Sequence, residues 1–242
     1  DLVLDINQGP VVYVNRVEIQ GNTRTRDNVI RRDIALEEGS KFDSKALRTS
    51  TQKLNRLDYF ESVNITPKPT MREDLLDVVV DVKEKPTGQF AVGAGYSSSD
   101  NLLFMGEISE RNLFGTGNRL ALQANTSGKS TRYNLRFTNP RIYDSQVSGS
   151  LEGYDWKREY DDYTRDTLGA GFNIGHPLFE EWRIYYGYSI SDTDLSDIKP
   201  NASSVILRSK DIHVISEGEL SLVRDTRDKY FSPTKGSRNS IT

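Results

Sequence analysis

From Gly88 onward the chain alternates large apolar residues with small or polar ones at period two, which restricts this half to β-strands carrying one greasy and one polar face. Six segments keep a single apolar phase: Phe90, Val92, Ala94, Tyr96; Leu102, Phe104, Gly106, Ile108; Leu120, Leu122, Ala124, Thr126; Tyr133, Leu135, Phe137; Leu168, Ala170, Phe172, Ile174; and Trp182, Ile184, Tyr186, Tyr188, Ile190. Only Gly106 and Thr126 break it. The opposite phase holds Gln89, Ala91, Gly93, Gly95 and Ser97, then Glu107, Arg119, Gln123, Asn125, Arg132, Asn134, Arg136, Asn173 and Arg183. Leu103, Met105 and Tyr185 are its large apolar intruders. No helical period is recognisable in this half.

Such strands build either a soluble sandwich, greasy side inward, or a membrane barrel, greasy side outward. Length favours the barrel, since Trp182 to Ser191 approaches the roughly 9–11 residues that cross a bilayer. The connections favour it too. Every odd one ("SSSDN", "TSGKST", "KREYDDYTRD", "SDTDLSDIKPNASSVILRSK") is polar, and they lengthen along the chain. Every even one ("NLFGTGN", "NPRIYDS", "HPLFEEW", "DKYFSPTKG") is short, aromatic and furnished with Pro or Gly. Because up-and-down strands alternate direction, the two sets lie on opposite rims, as in outer-membrane barrels with long outer loops and short periplasmic turns. The apolar phase, from Leu102, Phe104 and Ile108 to Trp182, Ile184 and Tyr186, is therefore expected to face lipid. Gln89, Ala91, Gly93, Gly95 and Ser97 are expected to face the lumen.

Before Gly88 the texture differs. "VVYVNRVEIQ" reads as a strand closed by Gly21-Asn22. Thr25 is the expected N-cap of a helix carrying Val29, Ile30 and Ile34, stopped by Glu38-Gly39. Asp43 or Ser44 opens a second helix with Ala46, Leu47, Leu54 and Leu57 on one side. Two strands follow, "ESVNITPKP" and "LLDVVVDVKEKP". The expected organisation is a β-α-α-β-β domain of α+β class over residues 11–87, then an antiparallel up-and-down barrel portion over 88–242. "DLVLDIN" within residues 1–10 reads as the last strand of a preceding domain, so the chain is expected to be a piece of a longer one.

Composition narrows function. Among 242 residues, 35% hydrophobic, no run approaches a membrane-spanning helix. A net charge of −3 supplies no basic field for nucleic acid. Zero cysteines remove thiol chemistry and thiolate metal sites, and the two histidines, His176 in a turn and His213 in a strand, are too far apart to nucleate a metal site. No cofactor is expected. "EYDDY" reads as a solvated loop, "GTGN" lacks the strand-to-helix context of a phosphate loop, and no Ser/His/Asp set or carboxylate pair suggests an enzyme. Arg24, Arg26, Arg31 and Arg32 surround the first helix, as a solvated face or a contact for a partner or anionic headgroups. "RDTRD" reads as a register-fixing charge cluster.

Ordered motifs add a resemblance. "VEIQGNTRTRDNVIRRDI", "EGSKFDSKALRTSTQKLNRLDYFESVNI" and "DVVVDVKEKPTG" resemble a POTRA (polypeptide-transport-associated) domain, through the Gly-Asn-Thr corner and the Leu-x-Tyr-Phe end of the second helix. "ERNLFGTGNRL", "TNPRI" and "YFSPTKGSR" resemble the early barrel of the BamA-like outer-membrane assembly factors in the POTRA-plus-barrel superfamily. The resemblance implies about eight strands and the start of a ninth from a barrel of about sixteen. It implies an outer-membrane location with the POTRA domain in the periplasm. It also implies a machine that folds and inserts other β-barrels, with unfolded outer-membrane clients, periplasmic accessory lipoproteins and outer-membrane lipid as partners.

In that family the first barrel strand is the seam, here Gly88, Gln89, Phe90, Ala91, Val92, Gly93, Ala94, Gly95, Tyr96 and Ser97. Its glycines either let the seam open cheaply or relieve crowding in a curved sheet, and both readings stand. Ser62, Val63, Asn64, Ile65 and Thr66 form a candidate client-pairing edge in the POTRA domain, although an ordinary edge blunted by Pro67 and Pro69 is the favoured reading. A secretion pore of the same superfamily and a surface barrel without an assembly role remain as alternatives.

Overall fold

The structure, a computed structural model, describes residues 11–227 and 234–242. "DLVLDIN" and most of "DKYFSPTKG" lie outside the described residues. The chain divides into two compact units, one reaching to Thr87 and including Phe114–Gly117, the other holding the remainder.

The first unit runs β1 (Tyr13–Gln20), α1 (Asp27–Arg31), α2 (Ser44–Leu57), β2 (Phe60–Pro69) and β3 (Leu75–Glu84). Its sheet has the order β1-β3-β2, with β1 parallel and β2 antiparallel to β3. A parallel pair needs a crossover, and the two helices with β2 supply it. The central strand is the most apolar, and its Leu76, Val78, Val80 and Val82 join Val14, Val17, Val29, Ile30, Leu54 and Tyr59 in the core. Asp43 caps α2, its carboxylate accepting from the Lys45 amide at 2.8 Å. Asp58 closes the helix in the left-handed region at φ 60°.

The first helix departs from its expected form. Its cap position is Arg26, without a side-chain cap bond, and it ends at Arg31, short of Ile34. The cause is a competing acceptor. The Glu84 carboxylate takes the amides of Thr23 (3.1 Å), Arg24 (2.9 Å) and Thr25 (2.6 Å), and the Thr23 hydroxyl at 2.8 Å, so Thr25 is held in the corner instead of opening a helix. Partial burial pushes the Glu84 carboxyl up, but the bonds from Thr25, Thr23 and Arg24 together outweigh it and hold the group at about 2, against an ordinary 4.5.

A depressed carboxyl contributes stability above its unfolded value that disappears as pH falls through the folded one. With solvent screening the contribution is about 1–2 kcal/mol. Glu84→Gln is expected to speed amide exchange at residues 23–25 by roughly 5- to 30-fold at neutral pH, with the difference from the parent vanishing between pH 4.5 and about 2. An unchanged exchange rate would remove Glu84 as the pin of this corner.

The second unit is one antiparallel sheet of nine strands in sequence order. They are β4 (Gly88–Ser97), β5 (Asn101–Leu113), β6 (Asn118–Ser127), β7 (Ser130–Asn139), β8 (Ser148–Glu159), β9 (Thr164–Phe179), β10 (Trp182–Ser196), β11 (Val214–Asp225) and β12 (Arg238–Ile241). The ladders run further than the sequence reading placed them. Lys157 pairs with Asp166 and Arg158 with Arg165, so "KRE" and "TRD" belong to strands and the connection shrinks to residues 160–163. His176 pairs with Ile184 inside β9, not in a turn, and Pro177 is accommodated beside a register shift between Trp182 and Arg183. His213 precedes β11 instead of lying in it. One short helix, α3 (Ser204–Ser209), went unanticipated in the long seventh connection. Ser203 caps it, accepting from the Ile206 amide at 3.5 Å.

Candidate functional site: the exposed strand edges

Two edges matter. Among the described residues of the first unit, β2 pairs with β3 on one side and stands at the edge of the sheet. Ser62–Thr66 lies opposite Lys83–Val79, before Pro67 and Pro69. Val63 and Ile65 turn inward and pack against the core, whereas Ser62, Asn64 and Thr66 are exposed. A Lys83–Glu61 ion pair of 2.7 Å flanks the stretch.

Among the described residues β4 stands first in the nine-stranded sheet and pairs with β5, in the register Gly88↔Glu110 through Ser97↔Asn101. All ten expected seam residues fall within this strand. One face carries Phe90 opposite Ile108, Val92 opposite Gly106, Ala94 opposite Phe104 and Tyr96 opposite Leu102. At the two middle pairs a large residue meets a small one, Val92 over Gly106 and Phe104 over Ala94. The same face continues through Leu122 opposite Ile108, Leu135 opposite Leu122, Phe137 opposite Leu120, and Leu151 between Phe137 and Phe172. Tyr133 lies opposite Ala124, while Trp182, Ile184 and Tyr186 extend the face along β10. Phe90, Val92 and Tyr96 are each more than 70% exposed, too much apolar surface to leave in water.

The other face is polar and internally bonded. Arg136 pairs with Glu152 at 2.6 Å, Gln123 donates to Glu107 at 3.1 Å, and the Thr167 and Thr193 hydroxyls lie 3.2 Å apart. Tyr154 stacks on Trp156 at 4.5 Å. A hollow of 660 Å³ on this face is lined by Glu152, Tyr154, Trp156, Gly187, Glu217 and Glu219 among others.

The apolar intruders of this face have a geometric explanation that sequence reading missed. Met105 lies directly opposite Gly93 and Leu103 directly opposite Gly95. A Cβ added at Gly93 would stand 2.9 Å from Met105 Cγ, and one at Gly95 3.7 Å from Leu103 Cδ1. Each intruder lies over a glycine. The signal was present in the sequence, because the two pairs are symmetric about the "SSSD" turn.

An α+β domain followed by a long-stranded antiparallel sheet with one apolar face defines a POTRA-plus-barrel protein of the outer-membrane type. Residues 112–242 match the Omp85 superfamily domain, and residues 12–85 match POTRA, described as surface antigen variable number repeat. The chain belongs to the Omp85 superfamily. It is 36% identical over 237 residues to the outer membrane protein assembly factor BamA of Nitratidesulfovibrio vulgaris, covering 98% of this chain and 30% of that one. Against the Neisseria meningitidis BamA it is 32% identical over 198 residues, covering 77% and 24%. The chain thus spans less than a third of either relative.

Among solved structures, BamA from Haemophilus ducreyi lacking POTRA domains 1–3 superposes with a TM-score of 0.72 at 24% identity, covering 97% of this chain and 48% of that one. CdiB from Acinetobacter baumannii superposes at 0.58 and 15% identity, covering 96% and 46%. Both likenesses concern the fold alone. Family membership places the chain in an outer membrane, with its POTRA domain in the periplasm.

Proposed function

We propose that this chain is part of an outer-membrane protein assembly factor that folds and inserts client β-barrels by strand pairing, without enzymatic chemistry or a cofactor. One observation carries the reading: β4, the first strand of the sheet, carries Gly88, Gly93 and Gly95, so it has few side chains to hold it against a neighbouring strand. In hydrocarbon each unsatisfied backbone group costs several kcal/mol, so a client strand arriving in lipid gains most where an edge is already presented. The apolar face lies against lipid and the polar face lines the lumen. Ser62–Thr66 offers unfolded client a first strand to pair with in the periplasm. Relatives named as assembly factors support this reading, and accessory lipoproteins of the assembly complex are the expected periplasmic partners.

A secretion pore is the second reading, favoured by the fold likeness to CdiB. Reconstitution separates them. The full-length protein in phospholipid vesicles is expected to accelerate the folding of an unfolded outer-membrane barrel client, measured by its heat-modifiable gel mobility. Vesicles that release a secreted polypeptide but leave client folding at the lipid-only rate would favour the pore.

A further inference from the structure

Met105 and Leu103, both on β5, are the apolar intruders of the polar face that lie against β4. Glycine-rich strands specify their register weakly, because they have few side chains to pack and much backbone freedom to lose. Strand β4 carries Gly88, Gly93 and Gly95, and among the described residues its register is set against β5. Its two glycine notches are each filled from directly across the ladder, by Met105 over Gly93 and Leu103 over Gly95.

Interior strands use the same device with rings. Gly169 lies opposite Tyr154 and Gly175 opposite Tyr185, and a Cβ at either would overlap the ring. Those strands are paired on both sides, so the rings are additional. At β4 the two filled notches lock this face against β5. A two-residue slip one way puts Met105 against the Ala91 methyl, and the other way puts Leu103 against Ser97. Either slip loses one filled notch.

We propose that Met105, with Leu103, is a positioning residue that fixes the register of β4 and hence the register offered to an incoming strand. The proposal rests on the templating reading above, but its first readout does not depend on it. In the full-length, cysteine-free protein folded in vesicles, the pair Ala91→Cys with Glu107→Cys reports the native register, because Ala91 and Glu107 are directly opposed. The pair Gln89→Cys with Glu107→Cys reports the slip that sets Met105 against Ala91 and Leu103 over Gly93. Met105→Ala is expected to raise the slipped disulfide about tenfold, while Met105→Leu, which refills the notch, restores the native one. The second readout is the crosslink from Ala91→Cys to the terminal strand of a stalled client, expected at one register in the parent and spread over several in Met105→Ala.

A merely space-filling role would lower barrel stability without moving either register. Unchanged disulfide registers in a folded Met105→Ala barrel would overturn the proposal. Should that variant not fold, Gly93→Ala, which pushes the thioether toward the Gly95 notch, is read by the opposite slip through the pair Ala91→Cys with Ser109→Cys and by the same client crosslink. Absence of client crosslinks in the parent would count against the templating reading, and the intramolecular pairs would still decide the role of Met105.

Discussion

Leu135→Arg is expected to lower the stability of the barrel in a phospholipid bilayer by about 2–4 kcal/mol, roughly 30- to 1,000-fold in the folding equilibrium. Leu135 sits mid-strand in β7, between Leu122 and Gly153, and is 49% exposed on the apolar face. If that face meets hydrocarbon, a guanidinium there must be dragged toward a headgroup. Gln123→Lys, on the opposite face and beside Glu107, is expected to change stability little, since the new ammonium can pair with that carboxylate. Chemical denaturation in vesicles, followed by gel mobility, compares the two. Equal penalties, or a larger one for Gln123→Lys, would reverse the assignment of lipid and lumen.

Leu54→Ala is expected to cost the POTRA unit about 2–5 kcal/mol, a large share of what a domain of this size can have. Leu54 is fully buried between α2 and the sheet core, so its truncation leaves a cavity. The nine-stranded sheet contains none of this core and is expected to stay protected. Segment-resolved hydrogen exchange in vesicles should show faster exchange in β1, β2 and β3 alone. Simultaneous loosening of β4–β11 would show that the two units do not hold their cores independently.

Legibility followed burial. Strand β10 could be read because Trp182, Ile184, Tyr186, Tyr188 and Ile190 keep one phase while the other, Tyr185 apart, holds small or polar residues. The strands β8 and β11 could not. On the apolar face β8 offers only Gly149, Leu151, Gly153 and Asp155, while Tyr154 and Trp156 stack on the polar face, which inverts the expected contrast. The strand β11 has Ser216 and Gly218 opposite Ile190 and Tyr188, again diluting the apolar phase. In these strands a neighbour's ring or aliphatic chain supplies the bulk, information that lies across the ladder and not along the chain. The shortened first helix has a similar origin. Thr25 is a good cap by propensity, but Glu84, nearly sixty residues away in the sequence, takes its amide.

The order β-α-α-β-β of the first unit was legible, because each of its elements carries its own period and punctuation. The pairing device at the edge was not, because a glycine and the side chain covering it look like two unrelated exceptions until the register joins them.

The most direct test places single cysteines at Ala91, Gly93 and Gly95 of the full-length protein and seeks disulfides to a cysteine in the terminal strand of a stalled barrel client. Bonds that form at one register, with each β4 position selecting its own partner along the client strand, are the expected result. A folded barrel whose clients engage the POTRA domain but form no register-specific bond with β4 would contradict strand templating at this edge.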